Sequence, residues 1–322
     1  MVSARHEPVL AAEVVRFLRN GDGLYLDATL GDGGHAEALL AAEPGARLLG
    51  CDRDPDSLAF ASHRLAAFGG RVTFAQAAFR ELPGALAGAG GERLSGALFD
   101  LGLSSRQLDD PARGMSFQAV GALDLRMDRS RGVPASERLQ TAGEAEIAAA
   151  LRAYGDLRDA ARLARAIHGQ ARAGRLATTR DVVAAIERAS GGRCHPRRYA
   201  RVFQALRMWV NDERVELEAA LDWLPGAMDP GGVVVTLAYH SGEDREIKRA
   251  LRGARHRAGH QPEAGGSLER LKRRLPNIVE SRPPEGPWEQ LTRGVVTPTH
   301  AEAAANPRAR SARLRAFRRR GS

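Results

Sequence analysis

The sequence predicts an α/β fold, a parallel sheet covered on both faces and interrupted by an all-helical insertion. Three observations carry that expectation. Apolar, strand-like runs alternate with helical patterns over the first hundred or so residues, as in parallel sheets built from β-α units. A stretch from about residue 105 to 210 then contains helical patterns and no convincing strand. After it, Gly231–Tyr239 (GGVVVTLAY) reads as a strand that resumes the first pattern. A length of 322 residues suits two domains, or one with an insertion. The expected division is 1–104 and 211–322 for the α/β domain and 105–210 for the insertion.

The elements follow in order. Pro8–Arg19 reads as an opening helix and Leu24–Ala28 as a buried first strand. A glycine turn leads to a helix from about His35 to Ala42. Arg47–Cys51 is a second strand ending at Asp52, and Pro55 sits where a helix's first turn accepts proline. Val72–Phe74 and Ala97–Leu101 are the third and fourth strands. Within the insertion, Glu144–Tyr154, Arg158–Ala173 and Thr179–Ala189 are helical, and Val202, Phe203, Leu206, Trp209 and Val210 form an apolar stripe. Asp212–Leu224 is a further helix, and 253–287, rich in Gly, Pro and Arg, reads as a surface excursion.

Composition excludes several classes. Hydrophobic residues at 43% and charged residues at 27% are those of a globular chain, not a disordered one. No apolar run is long enough to span a bilayer, and no secretory signal is evident, so a soluble cytoplasmic protein is expected. Two cysteines, Cys51 and Cys194, make neither a disulfide framework nor a zinc site, and no metal is expected. The net charge of +9 is unevenly placed. All but two of the 48 basic residues are arginine, and seven arginines fall within 308–320, where there is no acid. That segment reads as a basic C-terminal tail suited to phosphate backbones. Ala309, Ala312, Leu314 and Phe317 leave open a packed alternative.

The chemistry-bearing segment is Asp27–His35 (DATLGDGGH), at the turn from first strand to helix. Glycines there let backbone approach a ligand, and a helix N-terminus favours polar or negative groups. Asp52, at the tip of the second strand, is placed to accept both hydroxyls of a ribose. Gly31–Ala36 also satisfies the dinucleotide pattern G-x-G-x-x-G/A, so a nicotinamide-dependent oxidoreductase is the alternative. Asp27 just before the loop, Asp100 at the end of the fourth strand and Pro230-Gly231-Gly232 leading into the fifth favour S-adenosylmethionine.

A series of blocks makes the reading specific. They are His6–Leu10 (HEPVL), Asp27–His35, Asp52–Pro55 (DRDP), Asp100–Asp109 (DLGLSSRQLD), Arg113–Phe117 (RGMSF) and Leu123–Met127 (LDLRM). Phe203–Arg207 (FQALR), Val210–Glu213 (VNDE), Tyr239–Arg245 (YHSGEDR) and Asn306–Ser311 (NPRARS) complete them. In this order and over nearly the whole chain, the sequence resembles the bacterial 16S ribosomal RNA (cytosine-N4)-methyltransferases, the RsmH/MraW family. The resemblance implies a class I, Rossmann-like S-adenosylmethionine-dependent methyltransferase that modifies a cytidine of the decoding centre in 16S rRNA. It places cofactor contacts on Gly33, Gly34, His35, Asp52, Phe79, Asp100 and Gln107. Met115, Ala122, Leu125, Tyr239 and Gly242 depart from the usual residues, Tyr239 standing where Phe is usual, and 253–287 matches poorly.

Asp100 has two readings. Many amino-methyltransferases hold the target amine with an acid or amide here, followed by two prolines and an aromatic. This chain continues Leu-Gly-Leu-Ser-Ser, so Asp100 is a cofactor contact first and an amine-positioning candidate second. Phe79 is either a packing surface for adenine or a core aromatic. The backbone amide of His35 suits the cofactor's carboxylate. His195–Arg201 would present arginines from a helix of the insertion to the RNA. A ribosome assembly factor that keeps the cofactor site without turnover is a second alternative. Whether naked rRNA or the assembled small subunit is the substrate, and the oligomeric state, stay open.

Overall fold

The computed structural model describes residues 8–252 and 286–321. His6, Glu7 and nearly all of the 253–287 excursion lie outside the described residues. Among the described residues, seven strands form one sheet in the order β3-β2-β1-β4-β5-β7-β6. They are β1 (Gly23–Asp27), β2 (Ala46–Asp52), β3 (Val72–Gln76), β4 (Leu94–Asp100), β5 (Met228–Ala238), β6 (Trp288–Gln290) and β7 (Arg313–Arg319). The β1–β2, β1–β4, β2–β3 and β4–β5 pairs are parallel, and β7 runs antiparallel to both β5 and β6. Helices cover both faces. α1 (Ala11–Leu18), α2 (Gly34–Ala42) and α3 (Pro55–Arg64) accompany β1 and β2, and α4 (Leu82–Gly88) precedes β4.

Strands β1, β2, β4 and β5 are buried on both faces, which is why they read as continuous apolar runs. Strand β3 is an exposed edge strand. Helix α3 begins at Pro55, with the Asp54 carboxylate accepting from the Asp56 amide at 3.1 Å. Strand β5 starts three residues earlier than the apolar run suggested, at Met228, and its pairing with β4 shifts register between Leu94 and Gly96.

The basic tail is the main correction. Residues 313–319 are a strand inside the sheet, and Leu314, Ala316 and Phe317 are completely buried. The Arg315 guanidinium pairs with both carboxylate oxygens of Asp244, at 2.6 and 3.2 Å. Arg319 donates to the Pro225 carbonyl and Arg320 to that of Trp288, while Arg308 pairs with Asp109. Of the seven, Arg310 stays exposed with no such engagement described. Apolar alternation at 312, 314 and 316 outweighs the local charge because a partner carboxylate offsets the one deeply buried guanidinium.

Between β4 and β5 the chain is helical. α5 (Ser105–Asp109) is followed by α6 (Ala135–Thr141), α7 (Glu144–Gly155), α8 (Ala160–Arg172), α9 (Thr179–Ser190) and α10 (Pro196–Val210). These helices share an apolar core of their own that includes Leu151, Leu163, Ile167, Ile186 and Leu206. α11 (Glu213–Ala227) then returns the chain to the sheet, and α12 (Ser241–Leu251) and α13 (His300–Ala305) complete the helices used below.

Both ends of this helical stretch are tied to the tip of β2. On the incoming side, the buried Arg113 guanidinium pairs with Asp54 at 2.8 Å, and Gln107 Nε2 donates to Asp54 Oδ2 at 2.9 Å. On the outgoing side, the buried Asn211 amide donates to the Leu125 carbonyl and accepts from the Met127 amide. Its own carbonyl accepts from Arg53 Nη1 at 3.1 Å.

Candidate active site

Strand order reverses between β1 and β4, and the crevice beyond their carboxyl ends is where ligands bind in such sheets. A cavity of about 1320 Å³ opens there. One wall is built from Gly31, Asp52, Phe79 and Asp100 of the sheet. The other carries Phe117, Arg152, Arg201 and Gln204 of the helical stretch.

The loop after β1 is shaped by its own acids. Asp27, buried at the strand end, accepts from the Thr29 amide at 3.1 Å. Burial first, then the neighbouring Asp100 and Asp52, push its carboxyl up to about 7. Thr29 Oγ1 in turn accepts from the Asp100 amide at 2.7 Å, locking the loop to the end of β4. Asp52 Oδ2 accepts from the Gly31 amide at 2.8 Å and Oδ1 from the Asp54 amide at 2.9 Å. Burial outweighs those two bonds and pushes Asp52 up to about 6.

The glycines divide the work differently from the sequence reading. Gly31 (φ +50°) lines the cavity, and an added Cβ would meet nothing nearer than the Thr29 carbonyl at 3.8 Å. Gly33 (φ +76°) starts α2, and its Cβ direction points at Ala61 and Leu65 of the α3 region, 3.3 and 3.4 Å away. Gly34 faces Pro8 at 3.2 Å. Gly33 therefore sets the turn, whereas Gly31, which the resemblance did not single out, lines the cavity with its amide given to Asp52.

His35 is buried, and its Nε2 donates to the Val9 carbonyl at 2.9 Å, tying the segment before α1 to the loop. Its Nδ1 lies 3.6 Å from Asp100 Oδ2. The other Asp100 oxygen accepts from the Tyr239 hydroxyl at 2.9 Å. Phe79, half-buried on the cavity wall, packs edge-to-face on Phe99 at 5.5 Å. Gln107 lines the cavity, but its amide is committed: Oε1 accepts from Ser104 N and Nε2 donates to Asp54. Tyr239 was visible in the sequence only as a departure, and no local signal links it to Asp100, 139 positions away.

Cys51 is buried beneath the site. Burial pushes the Cys51 thiol up to about 12, and no group of three His, Cys, Asp or Glu side chains among the described residues could hold a metal.

The cavity fits S-adenosylmethionine: glycine backbone faces it, a carboxylate stands at the β2 tip, an aromatic flanks it and an acid ends β4. A Rossmann-like sheet with an antiparallel β7 between β5 and β6, carrying this site, defines an S-adenosylmethionine-dependent methyltransferase. The chain matches the MraW methylase family over residues 3–320 and belongs to it. It is 43% identical to the ribosomal RNA small subunit methyltransferase H of Sorangium cellulosum, over 98% of this chain and 91% of that one. The protein so named in Methylobacterium sp. is 41% identical, with the same coverage. Among solved structures, an rRNA methylase from Streptococcus thermophilus is similar at 10% identity over 97% of this chain and 94% of its own. Its TM-score of 0.38 is too low to add to the assignment. The nicotinamide and assembly-factor alternatives find no support in these relationships.

Proposed function

We propose that this methyltransferase modifies the exocyclic N4 of a cytidine in the decoding centre of 16S rRNA, in the cytoplasm, with the helical stretch of residues 105–210 recognising the RNA. The observation that carries the reading is the continuity of the cavity. The same space that meets Asp52 and Asp100 reaches Phe117, Arg152 and Arg201, so a base entering between aromatic and basic side chains arrives at the acids. The relatives' names, ribosomal RNA small subunit methyltransferase H, support the substrate.

Bound S-adenosylmethionine supplies a methyl group on a positive sulfur, which departs as a neutral thioether with the bonding electron pair. The chain's own residues do the rest. Asp52 accepts the ribose hydroxyls with the lone pairs that Gly31 and Asp54 leave. Phe79 offers its ring to the adenine, and the amides at the start of α2, Gly34 and His35 among them, take the carboxylate. Gly33 and Gln107 act through the loop they hold. Asp100 stands between cofactor and base: its carboxylate accepts an N–H of the target amine, orienting a lone pair otherwise delocalised into the ring. The nitrogen then sheds one proton to solvent.

Transfer of tritiated methyl to small subunits, and separately to naked 16S rRNA, from cells lacking this activity tests the proposal. Label recovered as N4-methylated cytidine supports it. Label on another nucleoside, or none on either substrate, overturns it.

A further inference from the structure

We propose that Tyr239 is a positioning residue for methyl transfer, its hydroxyl holding the Asp100 carboxylate in the orientation that receives the target amine. The inference rests on Asp100 meeting that amine, and its test separates the two.

Asp100 ends β4, and Leu237 lies opposite it in the paired β5. Tyr239, two residues on, is thus carried to the same end of the sheet, where both side chains line the cavity. The main chain of Asp100 is pinned by Thr29. The Cβ–Cγ torsion of an aspartate has broad, shallow wells, so its carboxylate takes its setting from its partners. The Tyr239 hydroxyl, 2.9 Å from Oδ1, selects one setting. His35 does not do this: its Nε2 donates to the Val9 carbonyl, and its Nδ1 is 3.6 Å from Oδ2, beyond hydrogen-bond distance. Burial, with the adjacent Asp100 charge, pushes the Tyr239 hydroxyl well above the ordinary tyrosine range, so it stays a donor.

The test is a double-mutant cycle of Tyr239→Phe and Asp100→Ala, read as single-turnover transfer, KM for RNA, melting temperature and S-adenosylmethionine affinity by calorimetry. Phenylalanine keeps the ring, so native-like melting is expected. Tyr239→Phe should slow transfer about 10-fold, the worth of one hydrogen bond, with KM and cofactor affinity unchanged. It should add little in the Asp100→Ala background, which has no acceptor for the hydroxyl. Wild-type transfer in Tyr239→Phe, or effects that simply multiply, overturns the role of Tyr239 while leaving Asp100 in place. Wild-type transfer in Asp100→Ala removes the amine contact itself. Weakened cofactor binding in Tyr239→Phe also overturns the inference, by moving the effect to the cofactor.

Discussion

Arg315 in the last strand and Asp244 in α12 form a buried, two-pronged ion pair across 71 positions of sequence. The pair is what lets an arginine-rich segment occupy the interior of the sheet, and it decides what removing that segment does.

Truncation after Pro307 should abolish folding instead of flattening the salt dependence of RNA binding. It deletes β7, leaving β5 and β6 without the strand between them and the apolar core without Phe317. Arg315→Ala should cost about 3 kcal/mol, because it leaves the largely buried Asp244 carboxylate only the more distant Arg313 guanidinium at 3.8 Å. Circular dichroism melts check both. A truncated chain with native melting would show that the strand is dispensable.

Substitution in the glycine loop should separate folding from binding. Gly33→Val pushes a branched side chain toward Ala61 and Leu65 from a left-handed backbone, so the melting temperature should fall sharply. Gly31→Ala adds a methyl to open space at a strained φ, costing about 1 kcal/mol of stability while weakening cofactor binding more than 10-fold. Calorimetry and melting curves on the pair distinguish them, and equal losses of stability in both would contradict the assignment.

Asp52→Ala should weaken S-adenosylmethionine by about 2–3 kcal/mol, the loss of a charge-assisted pair. In the unaltered protein, ribose hydroxyls favour the ionised carboxylate, whose pKa is pushed up to about 6. Affinity should therefore rise with pH through about 6 and then level, with protons released on binding. A pH-independent affinity between 5 and 8 would exclude Asp52 as the ribose acceptor.

Asp27 gives the opposite slope in stability. Its carboxyl titrates near 4 when unfolded and is pushed up to about 7 when folded, so the folded chain holds the extra proton in between. That stabilisation is complete below pH 4 and is lost as pH rises through 7. Asp27→Asn should flatten the decline of melting temperature from pH 5 to 8; an unchanged decline would place its cause elsewhere.

The readable parts of the chain were those whose determinants are local. Strands β1, β2, β4 and β5 carry their burial in their own residues, and the amphipathic helices show theirs in the spacing of buried positions such as Val202, Leu206 and Trp209. Asp52 was legible because a strand tip after a glycine turn has one place to be. Strand β7 was not, since its burial depends on Asp244 and on two neighbouring strands. That the Cβ direction of Gly33 meets Ala61 and Leu65 depends on α3, which no loop motif encodes. The Tyr239–Asp100 bond arises only when two strands pair.

The ties at the tip of β2 have a thermodynamic consequence. Arg113 and Gln107 hold Asp54, and Asn211 holds Arg53, so both junctions of the helical stretch meet the two residues that follow Asp52. Any ligand that favours one setting of those junctions changes the free energy of the other site, and the change is the same in both directions. If the helical stretch takes the RNA as proposed, a cofactor that tightens the tip strengthens RNA binding, and RNA then tightens cofactor by an equal factor. The order in which the two ligands arrive then affects rates, while the energy of the ternary complex is independent of the route.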